Sequence, residues 1–141
     1  MNSTSLPGTL DALDPLADFL KEACDQAGFD SKSHYRLQLA VDEVVTNIIV
    51  HGYQESGLEG KVDLSAEIDD RALTIIVEDT AKPFDPTKAK PPENLDKPLE
   101  ERNIGGLGVY LALKSVDQFT YEYKDGRNRN RFVMLRAPKK P

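Results

Sequence analysis

The chain has 141 residues, a length that holds one domain with a self-sufficient core and leaves little room for a second. Apolar residues make up 39% and charged residues 30%, and the formal net charge is −6. That charge argues against nucleic acid or an anionic membrane as a direct partner, but not against a phosphate held by local donors and a metal. Cys24 is the only cysteine, so no internal disulfide can form, and its place among apolar helical positions reads as core. No stretch approaches the roughly 20 apolar residues of a membrane span, and the opening MNSTSLPGTLD has neither a basic region nor an apolar core. A cytoplasmic protein is the expectation.

In chain order, Leu10, Leu13, Leu16, Ala17, Leu20, Ala23, Cys24 and Ala27 recur at spacings of three and four. This predicts an amphipathic helix beginning near Asp14, with Pro15 in its first turn and Gly28 as its C-cap. Ser31 or Ser33 then opens a second helix, running to about Val50 and stopped by His51-Gly52. Its density of apolar residues predicts burial on most of its circumference. The period then changes to two. Val62, Leu64, Ala66 and Ile68 alternate with polar residues, and Leu73, Ile75 and Val77 do so after Asp69-Asp70-Arg71; this is an antiparallel hairpin with one buried face.

Residues 80–104 carry five prolines and four lysines and read as a long loop within a single domain spanning 1–141, either a functional lid or a disordered segment. Gly105-Gly106-Leu107-Gly108 opens a helix to about Val116. A last hairpin runs from Phe119–Lys124 through Asp125-Gly126 to Phe132–Leu135. Strands joined by hairpins, with the helices grouped apart, predict an α+β two-layer sandwich: a mixed, largely antiparallel sheet covered on one face by helices.

Three short blocks carry the candidate chemistry. Glu43, Asn47 and His51 stand four apart along the second helix, so they form one stripe that is either a solvated face or a ligand-facing edge. Asn47, flanked by Val45, Ile48 and Ile49, needs a polar partner there. Asp79 ends the second strand, where a carboxylate either accepts from an exocyclic amine or caps the following turn. The glycines of 105–108 would let backbone N–H groups approach a phosphate at a helix N-terminus, although glycine turns are commonplace.

Taken together and in order, E-x-x-x-N-x-x-x-H, D-x-A-x-x-F-D-P and G-G-L-G resemble the GHKL ATPases. More narrowly, they resemble the anti-sigma-factor serine/threonine kinases of bacterial partner-switching systems. The likeness covers roughly residues 10–136 and implies the Bergerat ATP-binding fold, with residues 80–104 as the ATP lid. It implies that Asn47 ligates the Mg²⁺ that bridges the phosphates of ATP, that Glu43 acts as general base, and that Arg102 reaches the γ-phosphate from the lid. Asp79 would accept from the adenine amino group. His51, Ala81, Phe84, Gly105, Gly106, Leu107, Gly108 and Val109 would complete the ATP site.

The implied partners are an anti-sigma-factor antagonist of the STAS type as substrate and a sigma factor or similar target as the sequestered protein. A nucleotide-dependent binding module without phosphotransfer is the alternative. Ala81 stands where relatives have glycine, which matters if that backbone needs a positive φ. Only nine residues precede Leu10, so the full first strand through which relatives form a homodimer is not expected. Nor is the late-strand threonine of many relatives evident near Arg131.

Overall fold

A computed structural model describes residues 2–88 and 104–137, without the side chains of 104–107. Strand β1 (Asn2–Pro7) leads through a single 3₁₀ turn at Leu10–Ala12 into α1 (Leu13–Ala27) and then α2 (Ser31–Asn47). A π-helical segment, Ile48–Gln54, extends α2 before β2 (Lys61–Ile68) and β3 (Ala72–Asp79). Next in chain order come α3 (Ile104–Leu113), β4 (Gln118–Lys124) and β5 (Arg127–Leu135). The five strands form one sheet in the order β1-β2-β3-β5-β4. Every described pairing is antiparallel, so the expected mixed sheet is antiparallel throughout the described residues.

One face of the sheet takes the helices, with α1 packed on β3 and α2 on β5. Leu73, Ile75 and Val77 on β3 point to that face, opposite Met134, Phe132 and Asn130 of β5. With Leu16, Leu20, Leu37, Val41 and Val44 they form the core. Phe119 meets Phe132 edge-to-face, with ring centroids 5.0 Å apart, a geometry that suits the ring quadrupoles.

Local chemistry accounts for most boundaries. Gly28 closes α1 in the left-handed region at φ 77°, and the Phe29 N–H reaches back to the Cys24 carbonyl at 3.0 Å, a Schellman-type end. The cap of α2 is Asp30, not either serine: its carboxylate accepts from the Ser33 N–H at 2.8 Å. Asp125 and Gly126, at φ 54° and 76°, give the β4–β5 hairpin the left-handed pair that a type I′ turn requires. Cys24 is buried, and burial, with Asp25 beside it, pushes its thiol up to about 11.

Two expectations are corrected. The second helix does not stop at His51-Gly52; it widens into the π segment and runs on to Gln54. And a full strand does precede α1. β1 pairs along its length with β2, Leu6 opposite Val62, and only Leu6 of its residues is buried. A polar edge strand of this kind leaves little apolar alternation to read.

Candidate functional site

The site lies where α2, α3 and the exit of β3 converge. α2 buries Leu37, Ala40, Val41, Val44 and Val45, which leaves Glu43 and Asn47 half-buried along its upper edge. α3 crosses that edge in the opposite direction. Near its C-terminal end the Arg36 Nε donates to the Ser115 carbonyl at 2.9 Å, and the Ser115 hydroxyl donates to the Arg36 carbonyl at 2.9 Å. At the other end Gly108 meets Glu43, so closely that a Cβ on Gly108 would lie 2.7 Å from Glu43 Oε2. The missing side chain at Gly108 is therefore what makes room for the Glu43 carboxylate between the helices.

The π segment docks the end of α2 onto the exit of β3. Its wider i→i+5 turn buries Ile48, Ile49, Gly52 and Tyr53. The Tyr53 hydroxyl donates to the Lys61 carbonyl at 2.6 Å and accepts from the Thr80 N–H at 3.0 Å. Gly52 accepts from the Lys82 N–H at 3.2 Å, and a Cβ on Gly52 would lie 2.8 Å from the Ala81 methyl. The same widening turns His51 off the Glu43–Asn47 stripe. It is exposed, with its Nδ1 hydrogen-bonded to Glu55.

Asp79 ends β3 on the helix-covered face and is fully buried. Of the two sequence-based readings, the turn cap is the one observed. Oδ1 accepts from the Ala81 N–H at 2.9 Å, an Asx turn, and from Asn128 Nδ2 at 2.9 Å. Oδ2 is buried without a partner, the kind of unsatisfied group that calls for a ligand. Burial pushes this carboxyl above its ordinary range, while the hydrogen bonds from Asn128 and Ala81, and the charge of Arg127, work the other way. Asp42, next to Glu43 on α2, is likewise raised chiefly by burial.

Ala81 carries none of the strain its position suggested. Asp125 is the one non-glycine residue with positive φ among the described residues, and the Ala81 methyl is buried, lying against Gly52. Val109 is buried in α3 and Phe84 is exposed. Gly105, Gly106 and Leu107 lie in the first turns of α3. Arg102 lies outside the described residues, with most of the segment 80–104 expected to form a lid, as do Lys90 and Lys97. No group of three His, Cys, Asp or Glu side chains with metal-binding geometry occurs among the described residues, so a divalent ion here would depend on Asn47 and on its ligand's own oxygens.

The sequence reading missed β5's contribution. Asn128 and Asn130 are both buried, Asn128 directly across the sheet from Asp79 and Asn130 across from Val77. Asn130 Oδ1 is a second unpartnered buried atom. The signal was present: in Arg127-Asn128-Arg129-Asn130-Arg131-Phe132-Val133-Met134 both asparagines fall in phase with Phe132 and Met134, hence inward.

An α+β sandwich of a five-stranded antiparallel sheet covered on one face by helices matches the fold of the GHKL ATPase domains. The chain belongs to the histidine kinase-like ATPase domain family, whose model matches residues 6–134. Among characterised relatives, serine-protein kinase RsbW of Staphylococcus epidermidis is 30% identical over 92 residues, covering 63% of this chain and 58% of that protein. The RsbW kinase of Staphylococcus aureus strain JH9 is 32% identical with the same coverage. The chain thus matches somewhat more than half the length of these relatives. Two solved structures share the fold. One holds the RsbU and RsbW domains of a Mycobacterium tuberculosis protein, with a TM-score of 0.65 at 18% identity, covering 98% of this chain and 34% of that one. The other is the Acinetobacter baumannii histidine kinase AdeS, with a TM-score of 0.51 at 14% identity, covering 96% of this chain and 68% of that one. No described helix is long and apolar enough to cross a membrane.

Proposed function

We propose that the chain is a Mg-ATP-dependent regulatory serine/threonine protein kinase of the partner-switching type. It would phosphorylate an anti-sigma-factor antagonist of the STAS type and alternately sequester a sigma factor or similar target, in the cytoplasm. The observation that carries the nucleotide reading is the unpartnered Asp79 Oδ2, a buried acceptor at the place where the family resemblance puts the adenine amino group. Family membership and the named activity of the RsbW relatives support the kinase reading.

In this reading Asp79, with Ala81 and Phe84 beside it, would hold the base, and Asn47 with the glycine turn of Gly105, Gly106, Leu107, Gly108 and Val109 would hold the phosphates, whereas His51, exposed and bonded to Glu55, takes no part. Asn47 would hold Mg²⁺, which when bound would neutralise phosphate charge. Glu43 accepts the proton of the partner's hydroxyl as that oxygen bonds to the γ-phosphorus and the bond to the ADP oxygen breaks. Arg102 offsets the charge developing on the transferred group. Positioning and electrostatics do the catalysis, as phosphoryl transfer requires.

The test is thermal unfolding of the wild type and Asn47→Ala with and without Mg-ATP, followed by transfer assays with candidate antagonist proteins. Ligand at about 100 times Kd adds about 2.7 kcal/mol, several degrees for a domain of this size. A shift that needs both Mg²⁺ and Asn47, with phosphoprotein formed by the wild type and not by Glu43→Ala, supports the proposal. A shift without phosphoprotein for any partner selects the nucleotide-dependent binding module instead, and no shift at millimolar ATP removes the nucleotide reading.

A further inference from the structure

Asn128 is placed by β5 with all four hydrogen-bonding positions of its amide in use. Nδ2 donates to Asp79 Oδ1 at 2.9 Å and to the Ala81 carbonyl at 3.2 Å. Oδ1 accepts from the Phe84 N–H at 3.3 Å and from the Tyr121 hydroxyl. The orientation of this amide is not ambiguous, because two of its partners are backbone groups of fixed polarity. The Phe84 N–H can only donate and the Ala81 carbonyl can only accept. The NH₂ end must therefore face Asp79.

The consequence falls on the two oxygens of Asp79. Oδ1 receives two donors that carry their protons in every state, the Ala81 N–H and Asn128 Nδ2. Oδ2 receives none. Burial raises this carboxyl, and the two donors on Oδ1 work against that rise; in the ionised state the bare Oδ2 is purely an acceptor. A purine with an amino group at C6 offers it a donor, whereas one with a carbonyl there sets two acceptors against each other in a buried site.

We infer that Asn128, held in turn by Tyr121, is the positioning residue that makes Asp79 a one-sided acceptor and so sets a preference for adenine over guanine nucleotides. The inference rests on the nucleotide reading of the site proposed above and names a determinant outside the three sequence blocks. Asn128 acts through Asp79 rather than on the base, and it also ties Ala81 and Phe84 of the β3 exit to β5. A merely structural role would therefore weaken all nucleotides alike, and the ratio between two nucleotides separates the cases.

The experiment measures Kd for Mg-ATP and Mg-GTP by calorimetry on the wild type, Asn128→Asp, Asn128→Ser and Tyr121→Phe. In Asn128→Asp two facing carboxyls share a proton, which gives Oδ2 access to a donor state. The ATP-over-GTP ratio is expected to fall about 10- to 100-fold. Asn128→Ser keeps a donor on the same side of Asp79, one bond shorter, and retains part of the preference, even if both affinities drop. Should Asn128→Asp fail to fold, Tyr121→Phe, which leaves the amide but removes its tether, still tests the point, with an expected fall of about threefold. Equal loss of both nucleotides in every folded variant overturns the inference while leaving the nucleotide site standing. So does a wild type that binds ATP and GTP equally. A wild type that binds neither overturns the functional reading and this inference together.

Discussion

The two faces of the sheet treat polar groups in opposite ways. On the open face, cross-strand neighbours satisfy one another. The Ser5 hydroxyl donates to Asp63 at 2.6 Å, and Arg127 bridges Asp63 at 2.5 Å and Glu78 at 3.0 Å. Arg129 lies 3.9 Å from both Glu78 and Glu122. These side chains remain partly in water, so each ion is cheap to keep. On the helix-covered face Asp79, Asn128 and Asn130 are as buried as the leucines beside them. Three buried side-chain atoms lack a partner among the described residues, and two of them, Asp79 Oδ2 and Asn130 Oδ1, sit on this face. A strand alternates between the faces residue by residue, so the same segments of β3 and β5 carry both patterns. An unpaired acceptor costs more where water is excluded, and two such acceptors lie on the covered face.

The sharpest way to break that comparison is Asp79→Asn. The Asp79 carboxyl sits above its unfolded value because of burial. Its contribution to stability is therefore full below the ordinary carboxylate range and is lost as pH rises through the raised folded value, which leaves the charge as a cost at neutral pH. An amide removes that cost and keeps an acceptor for Ala81 and Asn128. Asp79→Asn is expected to unfold at pH 7 at the same temperature as the wild type or higher, an advantage that disappears below about pH 4. It is also expected to lose the stabilisation by Mg-ATP of about 2.7 kcal/mol. Thermal scans across pH, with and without nucleotide, read both effects. A variant less stable at pH 7 that still responds to ATP would make Asp79 a structural residue.

Next in size is the contact that holds the end of α2 to the exit of β3. A methyl on Gly52 would meet the Ala81 methyl at 2.8 Å, and neither atom can rotate away. Overpacking of this kind costs about 1–3 kcal/mol. Gly52→Ala should lower the denaturant midpoint accordingly, and adding Ala81→Gly should restore most of it. A double-mutant cycle with no coupling would show that the two positions do not share the space. Ala81 would then be explained by something other than Gly52.

How much of this was legible in the sequence depends on how local the causes are. The helices, both hairpins, the Gly28 cap and the Asp125-Gly126 turn follow from periodicity and turn chemistry within a few residues. The π segment does not, because it is held by Tyr53 reaching Lys61 and Thr80, partners that sequence spacing does not bring together. β1 is hidden for the opposite reason: an edge strand with one buried residue has almost no pattern. In the site, Glu43, Asn47 and Asp79 were picked out by motif spacing; Glu43 and Asn47 stand half-buried on α2 and Asp79 is buried at the end of β3, while His51 leaves the stripe when the helix widens. Asn128 and Asn130 were missed because the last strand was read from Phe132 onward. Carried back two more alternations, it would have placed two amides inside.

Gly108 tests whether the crowding on the covered face is tuned for chemistry or for folding. A Cβ there would press on Glu43 Oε2 at 2.7 Å, the far end of a flexible side chain that can swing aside. Alanine also favours a helix over glycine by up to about 1 kcal/mol. Gly108→Ala is therefore expected to hold or slightly raise stability while displacing Glu43, with phosphotransfer reduced about tenfold, equivalent to ~1.4 kcal/mol. Unchanged transfer in a stable variant would show that the position of Glu43 between the helices does not matter to activity.

The smallest effect is expected on the open face. Arg127 is held by Asp63 and Glu78, whose side chains are 42% and 31% exposed against its own 37%, so water screens the pairs. Exposed ion pairs contribute between nothing and about 1 kcal/mol each. The loss in Arg127→Ala is expected to stay under about 1 kcal/mol and to shrink further in 1 M salt, where charges are screened within about 3 Å. Asp63, held low by the Ser5 hydroxyl and by Arg127, contributes stability above the ordinary carboxylate range that is lost as pH falls through its lowered value. The dependence of Arg127→Ala on pH should therefore run opposite to that of Asp79→Asn. The destabilisation it causes is present at neutral pH and fades in acid, whereas the relief given by the amide at position 79 comes from a charge that burial disfavours. If Arg127→Ala instead costs several kcal/mol independent of salt, the open face is not a solvated ladder of charges, and the contrast between the two faces would no longer single out Asp79.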